Sequence, residues 1–318
     1  MTLQESRTNL WLIMTLDAEA VGRGAAVLSA VEIGLGSALH ALRVPLSGYF
    51  LSLNQVFLLA RNVKRHPELP LSTPFQVSAI ASLLKSLSPA GKKLTPMLAI
   101  SCQGLLFNGG TFLVGRNFLG VVLGGILSSV WSFLQPLMLY YLLYGETLIK
   151  VANYFYRQLS AVVSFAPEAL WGVAVGAVLL KATLAAFLGG LAWHLPESRF
   201  SQYEKKLFGM GQARRNRAVS FSHENQTWKC RAKFALKELM SPLFLISLLL
   251  TVVFFFFAES RFSSILWGCL RPVATGFLVF LCVRSFPAET LARWLDGGPL
   301  RGFSQAFKVA VRRLREPA

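Results

Sequence analysis

The chain has 318 residues, of which 54% are hydrophobic and only 15% charged, with 32 Lys+Arg against 15 Asp+Glu and a formal net charge of +17. Its mean hydropathy is +0.51. A soluble protein usually carries about a quarter charged residues, and the apolar residues here fall in long runs rather than the short alternating segments of a β-barrel. An ordinary soluble domain is therefore excluded, and the expected fold class is all-α: a polytopic α-helical membrane protein.

The N-terminal patch from Leu10 to Leu16 lacks a cationic start and a small-residue exit, so no cleaved signal peptide is expected. With about 20 apolar residues needed per span, segments are expected near 22–42, 46–60, 75–88, 94–114, 118–144, 168–195, 242–258 and 264–284. An amphipathic piece at 300–315 is expected on the surface. The runs 46–60 and 75–88 are short, and suit tilted, shielded or re-entrant helices.

On the first segment, small residues recur every four positions at Gly22, Ala26, Ala30, Gly34 and Ala38. This spacing keeps them on one broad face and lets a second helix backbone approach closely, either as a docking stripe for a partner subunit or as a packing face within the chain. Glu32 points roughly away from that stripe.

Basic residues set the orientation. The connection 61–74 carries Arg61, Lys64 and Arg65, the link 196–240 carries Arg214, Arg215 and Arg217 among others, and the tail carries Arg293, Arg301, Lys308, Arg312, Arg313 and Arg315. Placing all three on the cytoplasmic side gives N- and C-termini inside, with Lys92 and Lys93 left outside. In a soluble chain this charge would suggest nucleic acid. Beside apolar runs the plainer partner is anionic lipid head groups, and no nucleic acid is expected. The expected division is a six-segment membrane unit at 1–198, a basic cytoplasmic linker at 199–240, and a two-helix membrane hairpin with a basic amphipathic tail at 241–318. Phe254–Phe257 in the hairpin reads as lipid-facing or packed.

The first unit resembles the substrate-binding S-component of energy-coupling-factor (ECF) vitamin transporters. The likeness rests on six apolar segments with both ends inside, short second and third segments, and small-xxx-small spacing on the first helix. Arg43-Val-Pro-Leu-Ser-Gly-Tyr-Phe-Leu-Ser-Leu-Asn-Gln and the glycine-rich Gly115-Arg-Asn-Phe-Leu-Gly-Val-Val-Leu-Gly-Gly add to it. The hairpin at 241–318 departs from that pattern. The resemblance implies a six-helix bundle in a bacterial inner membrane that binds a vitamin-like small molecule near the outer face. It also implies a transmembrane coupling subunit docked on the small-residue stripe, and separate ATPase subunits. The alternative is a membrane scaffold or assembly protein whose basic segments bind a partner or anionic lipid.

Ionisable residues inside spans cost at least about 2.5–3.5 kcal/mol on insertion scales and point to function. Glu32 and Lys181 have opposite charge at similar depth, and are expected to pair across the bundle as a structural ion pair or with a role in binding or gating. Arg271, beside Pro272, suits loosened backbone groups or the head groups. Candidate ligand contacts at the outer rim are Arg43, Tyr49, Lys92 and Lys93, the two lysines either attracting an anionic substrate or simply solvated. Within the later helices Asn108, Trp131 and Gln135 suit a flat, hydrogen-bonding ligand. Gln135 could instead satisfy a carbonyl freed at Pro136, and Tyr140 and Tyr141 fit interfacial anchors better.

No catalytic constellation is present, so no enzyme is expected. The run Ser88-Pro-Ala-Gly-Lys-Lys has one glycine, and Lys93 where a phosphate loop needs a hydroxyl. The four histidines are scattered and the four cysteines form no CxxC, so neither a metal nor a cofactor is expected.

Overall fold

The computed structural model describes residues 18–34, 36, 47–86, 94–162, 167–209, 228–240, 242–258, 262–285 and 301–315. Among them every regular element is an α-helix. These are α1 (18–34), α2 (Ser47–Arg65), α3 (Thr73–Ser86), α4 (Leu94–Val114), α5 (Phe118–Tyr144), α6 (Glu146–Val162), α7 (Pro167–His194), α8 (Glu197–Gly209), α9 (Trp228–Leu239), α10 (Pro242–Ala258), α11 (Phe262–Ser285) and α12 (Arg301–Arg315). Three are long and apolar enough to cross a membrane: α4 over Thr95–Val114, α5, and α7 over Trp171–His194.

Local chemistry sets the boundaries. α4 ends at Gly115, whose φ of +97° favours a residue without Cβ. Asn117 then caps α5, its Oδ1 accepting the Gly120 amide at 2.8 Å. Gly145, at φ +59°, separates α5 from α6. Pro74, Pro167 and Pro242 stand in first turns, where a missing amide hydrogen costs nothing.

The chain divides into two compact units. One collects Met1–Ser132, Leu179–His223 and Pro287–Ala318; the other collects Phe133–Val178 and Glu224–Phe286. Two of the boundaries fall inside α5 and α7, and the others at 223/224 and 286/287. The stretch read as a basic linker contains α8 and α9, assigned to different units.

In the first unit, helix directions follow from paired contacts. α3 and α4 are antiparallel, since Gly104 packs on Ser78 while Ser82 Oγ donates to the Met97 carbonyl at 3.0 Å. α4 and α5 are antiparallel, with Gly110 against Gly124 and Ser128 Oγ donating to the Gln103 carbonyl at 2.8 Å. Glycine on both sides of that crossing permits near backbone contact, an arrangement suited to helices that gain little from burying apolar surface. α2 runs parallel to α7: Tyr49 meets Lys181, and Arg61 meets the carbonyls of Ala192 and Leu195. Buried aliphatic and aromatic residues from α1 to α5, α7, α8 and α12 form one core. α12, expected on the surface, buries Ala306, Phe307, Ala310 and Leu314 and keeps Arg301, Lys308, Arg312 and Arg313 exposed.

The second unit has a smaller core of Leu143, Tyr144, Leu239 and Phe244. There the Tyr144 hydroxyl bonds Ser247 Oγ at 2.7 Å, and α9 and α10 both pack on α11. The phenylalanine run divides: Phe254 and Phe255 are buried, Phe256 and Phe257 exposed. Arg271 lies on the Gly145 turn, where an added Cβ would come within 2.8 Å of its guanidinium.

Candidate functional site

Charged side chains gather at the two ends of the first unit. One end holds the start of α1, the end of α2, the end of α7 and the start of α8. Arg61, buried in the last turns of α2, donates from Nη1 to the Leu195 carbonyl at 2.7 Å and from Nη2 to the Glu197 carboxylate. Arg65 donates from Nε to Glu197 at 2.8 Å and from Nη1 to Glu204 at 3.3 Å. Arg23 of α1 reaches the same Glu204 at 2.9 Å. Phe200 is stacked under both α2 arginines, its centroid 5.2 Å from Arg61 Cζ and 4.9 Å from Arg65 Cζ. Spacing explains α8: Phe200, Tyr203 and Glu204 stand at i, i+3 and i+4, one face of a helix.

Electrostatics at this end are mutually reinforcing. Burial opposes ionisation of Glu197, but hydrogen bonds and charge from Arg65, then Arg61, hold its carboxyl below the usual range. Burial opposes the Arg65 charge too, and Glu197 and Glu204 outweigh it, raising its pKa. His66 goes the other way: burial lowers it, against the pull of Glu68, whose carboxylate is 3.4 Å away. The cleft among these groups has a cavity volume of about 30 Å³. That suits about one or two waters. Arg61 Nε and Asn62 Oδ1, buried here without a protein partner, are suitable groups to hold them.

The opposite end of the unit carries the ionisable residues of the apolar segments, and here the expected pairing is corrected. Glu32 pairs with Lys85, not Lys181: Lys85 Nζ lies 3.9 Å from Glu32 Oε2 and donates to the Glu32 backbone carbonyl. The reason is helix order. Gly24 of α1 packs on Val77 of α3, and the two helices, running parallel, bring Glu32 beside Lys85. Both side chains are buried. Lys85 carries the same sequence signal as Glu32, a charge inside an apolar run.

Lys181, also buried, stands where α2, α5 and α7 converge. Its Nζ donates to Ser132 Oγ and lies 4.0 Å from the centroid of the Tyr49 ring. The structure thus joins Tyr49 and Lys181, both singled out in the sequence, and adds Ser132. Trp131 precedes Ser132 on α5, and its indole Nε1 is buried with no hydrogen bond in the protein, as is Asn108 Oδ1 on α4. Gln135 is buried one turn further along α5. Arg43, Lys92, Lys93 and Ala38 lie outside the described residues.

The small-residue stripe is corrected as well. Ala26 and Ala30 are buried, and a Cβ on Gly22 would sit 2.6 Å from the Ala306 carbonyl and 2.7 Å from Val309. At Gly22 the stripe thus packs on the chain's own α12, the within-chain alternative. Gly34 is half-buried. Among the described residues, no group of His, Cys, Asp and Glu could hold a metal ion.

Compared with family models, curated proteins and solved structures, the chain finds no significant match in any of the three.

Proposed function

We propose that the chain is a polytopic membrane protein that binds a small, vitamin-like molecule for uptake, in the manner of an ECF S-component working with separate coupling and ATPase subunits. The observation that carries this reading is the convergence of α2, α5 and α7 on Lys181, where a buried ammonium, an aromatic ring and a hydroxyl meet within apolar helices. Such a cation in a helix able to cross a membrane is costly unless it has a task. An aromatic face and hydrogen-bonding groups beside it suit an anionic or amide-bearing ring compound. The membrane itself is supported by α4, α5 and α7, and by the large apolar side chains they expose, among them Leu113, Leu119, Trp171 and Phe187. The dense arginine end would face the cytoplasm, by the excess of basic residues there. Because α12 covers Gly22, a coupling subunit would use another face of the unit.

The test is native mass spectrometry of protein purified in mild detergent, with denaturing extraction of small molecules. A stoichiometric compound that Lys181→Met loses, at an unchanged melting temperature, supports the reading. Wild-type protein free of any compound and carrying another membrane protein would replace it with the scaffold alternative.

A further inference from the structure

The cleft at the arginine end has an uneven wall. Among the described residues, the guanidiniums of Arg23, Arg61 and Arg65 line it with one carboxylate, Glu204. Both oxygens of Glu204 are engaged already: Oε1 accepts from Arg23 Nε at 2.9 Å, and Oε2 from Arg23 Nη2 and Arg65 Nη1, each at 3.3 Å. Two further carboxylates stand outside the lining. Glu197, on Arg61 and Arg65, has a side chain 56% exposed, and Glu68, on His66, one 65% exposed, so water screens both. Arginine keeps its charge in any surround, and the wall is therefore positive.

The most buried of the three arginines also has a hydrogen left over. Arg61 is 3% exposed; its Nη1 donates to the carbonyls of Ala192 and Leu195 and its Nη2 to Glu197, while its Nε–H has no partner in the protein. Asn62, the next residue of α2, is buried too and leaves its Oδ1 without one. Its Nδ2 lies against Gly24 of α1, where an added Cβ would come within 2.7 Å. Val27 and Leu58 give the cleft an apolar side. A charged donor left unmet in such a place costs more than a neutral one. A water accepts that hydrogen but leaves the positive wall as it is.

We infer that the cleft binds a monovalent anion of chloride's size, which accepts the Arg61 Nε–H and balances the guanidiniums around it. The volume of about 30 Å³, room for about one or two waters, admits a single atom and excludes phosphate or sulfate with four oxygens. The Asn62 carboxamide offers its NH2 to the anion after a half-turn about its last bond, because its oxygen and nitrogen ends are alike in shape. This site is independent of whatever Lys181 binds.

The full-length protein in detergent is titrated with sodium chloride against sodium gluconate at fixed ionic strength. The thermal midpoint and the chlorine-35 NMR line width are read. An ion that binds only the folded state raises the midpoint with its concentration, so chloride should raise it by several degrees and show a broadened line that bromide narrows by displacement. Asn62→Asp places a fixed carboxylate of the same shape at the cleft. Its midpoint in gluconate should match that of the wild type in chloride, with no further rise and no broadening when chloride is added. Arg61→Met should also lose the broadening, at a lower midpoint. Lys229→Gln, an exposed charge in the second unit, should keep the full response. Equal behaviour of the wild type in chloride and gluconate overturns the inference and leaves the cleft to water. A chloride response that Asn62→Asp retains overturns it as well, since the ion then sits elsewhere. A stronger response to sodium phosphate at equal ionic strength replaces the chloride-sized site with an oxyanion site. Should either cleft variant fail to fold, the wild-type series with chloride, gluconate and bromide decides by itself.

Discussion

The two ends of the first unit hold charge in opposite ways. At the arginine end the central charges share partners: Arg61 bonds a carboxylate and two carbonyls, Arg65 two carboxylates, and Glu204 two arginines. At the other end Glu32 lies against Lys85, and Lys181 has a hydroxyl and a ring among its contacts. A network spreads the loss of any member over its neighbours, whereas a two-membered pair in an apolar surround leaves the survivor without its counter-charge. Buried ion pairs add little net stability over apolar residues of equal shape, but are expensive to break on one side.

That contrast is sharpest at Glu32. Glu32→Gln should destabilise by about 3–5 kcal/mol, because it removes the counter-charge of the buried Lys85 ammonium and leaves that charge on a backbone carbonyl. Glu32→Leu combined with Lys85→Met should recover most of the loss, measured as the midpoint of thermal unfolding in detergent. A double variant as unstable as the single one would mean that the pair organises α1 against α3, and would break the comparison.

At the arginine end, Arg61→Met should cost less, about 1.5–3 kcal/mol. It removes charged hydrogen bonds to Leu195 and Glu197, but Arg65 remains on Glu197. The same thermal midpoint checks it, and a loss equal to that of Glu32→Gln would show that the network shares nothing.

Acid should weaken this end in two stages. His66 and Glu197 both have folded-state pKa values below their ordinary ones. The stability each contributes is therefore complete above its unfolded value and disappears as pH falls through the folded one. The midpoint should first decline as pH drops below about 6.5, the ordinary histidine value, and again below the ordinary range of a glutamate. His66→Gln should remove the first decline and keep the second, since burial, with the charges of Arg65 and Arg23, is what disfavours the imidazolium while Glu197 keeps its own arginines.

How far these features could be read from the sequence differs by the kind of information each needs. Nine of the helices lie on expected apolar or amphipathic segments, because a helix in an apolar setting needs only length and hydropathy, both local properties. Glu32 and Lys181 were visible as charges out of place for the same reason. Their partners were not, because pairing depends on which helices are neighbours: Lys85 is 53 residues from Glu32, and no periodicity states that α1 runs beside α3. The stripe was legible as a close-packing face, while its occupant lies at the far end of the chain. α8 was hidden by its charges. Most of it falls in the expected basic linker at 199–240, yet it docks through Phe200, Tyr203 and Glu204, and the i, i+3, i+4 spacing of those residues is the available signal.

The smallest expected effect tests where the water boundary falls. Glu19 meets Arg312 and Arg313 at a side-chain exposure of 39%, against 61% and 45% for the arginines. Exposed pairs of this kind contribute about 0–1 kcal/mol and lose even that in salt. Glu19→Gln should therefore barely move the thermal midpoint, and α12 should stay docked, because its apolar face and the tight Gly22 contact hold it there. A large fall in the midpoint would place Glu19 with Glu32 among the charges that the fold depends on, and would move the boundary between the two regimes into α12 itself.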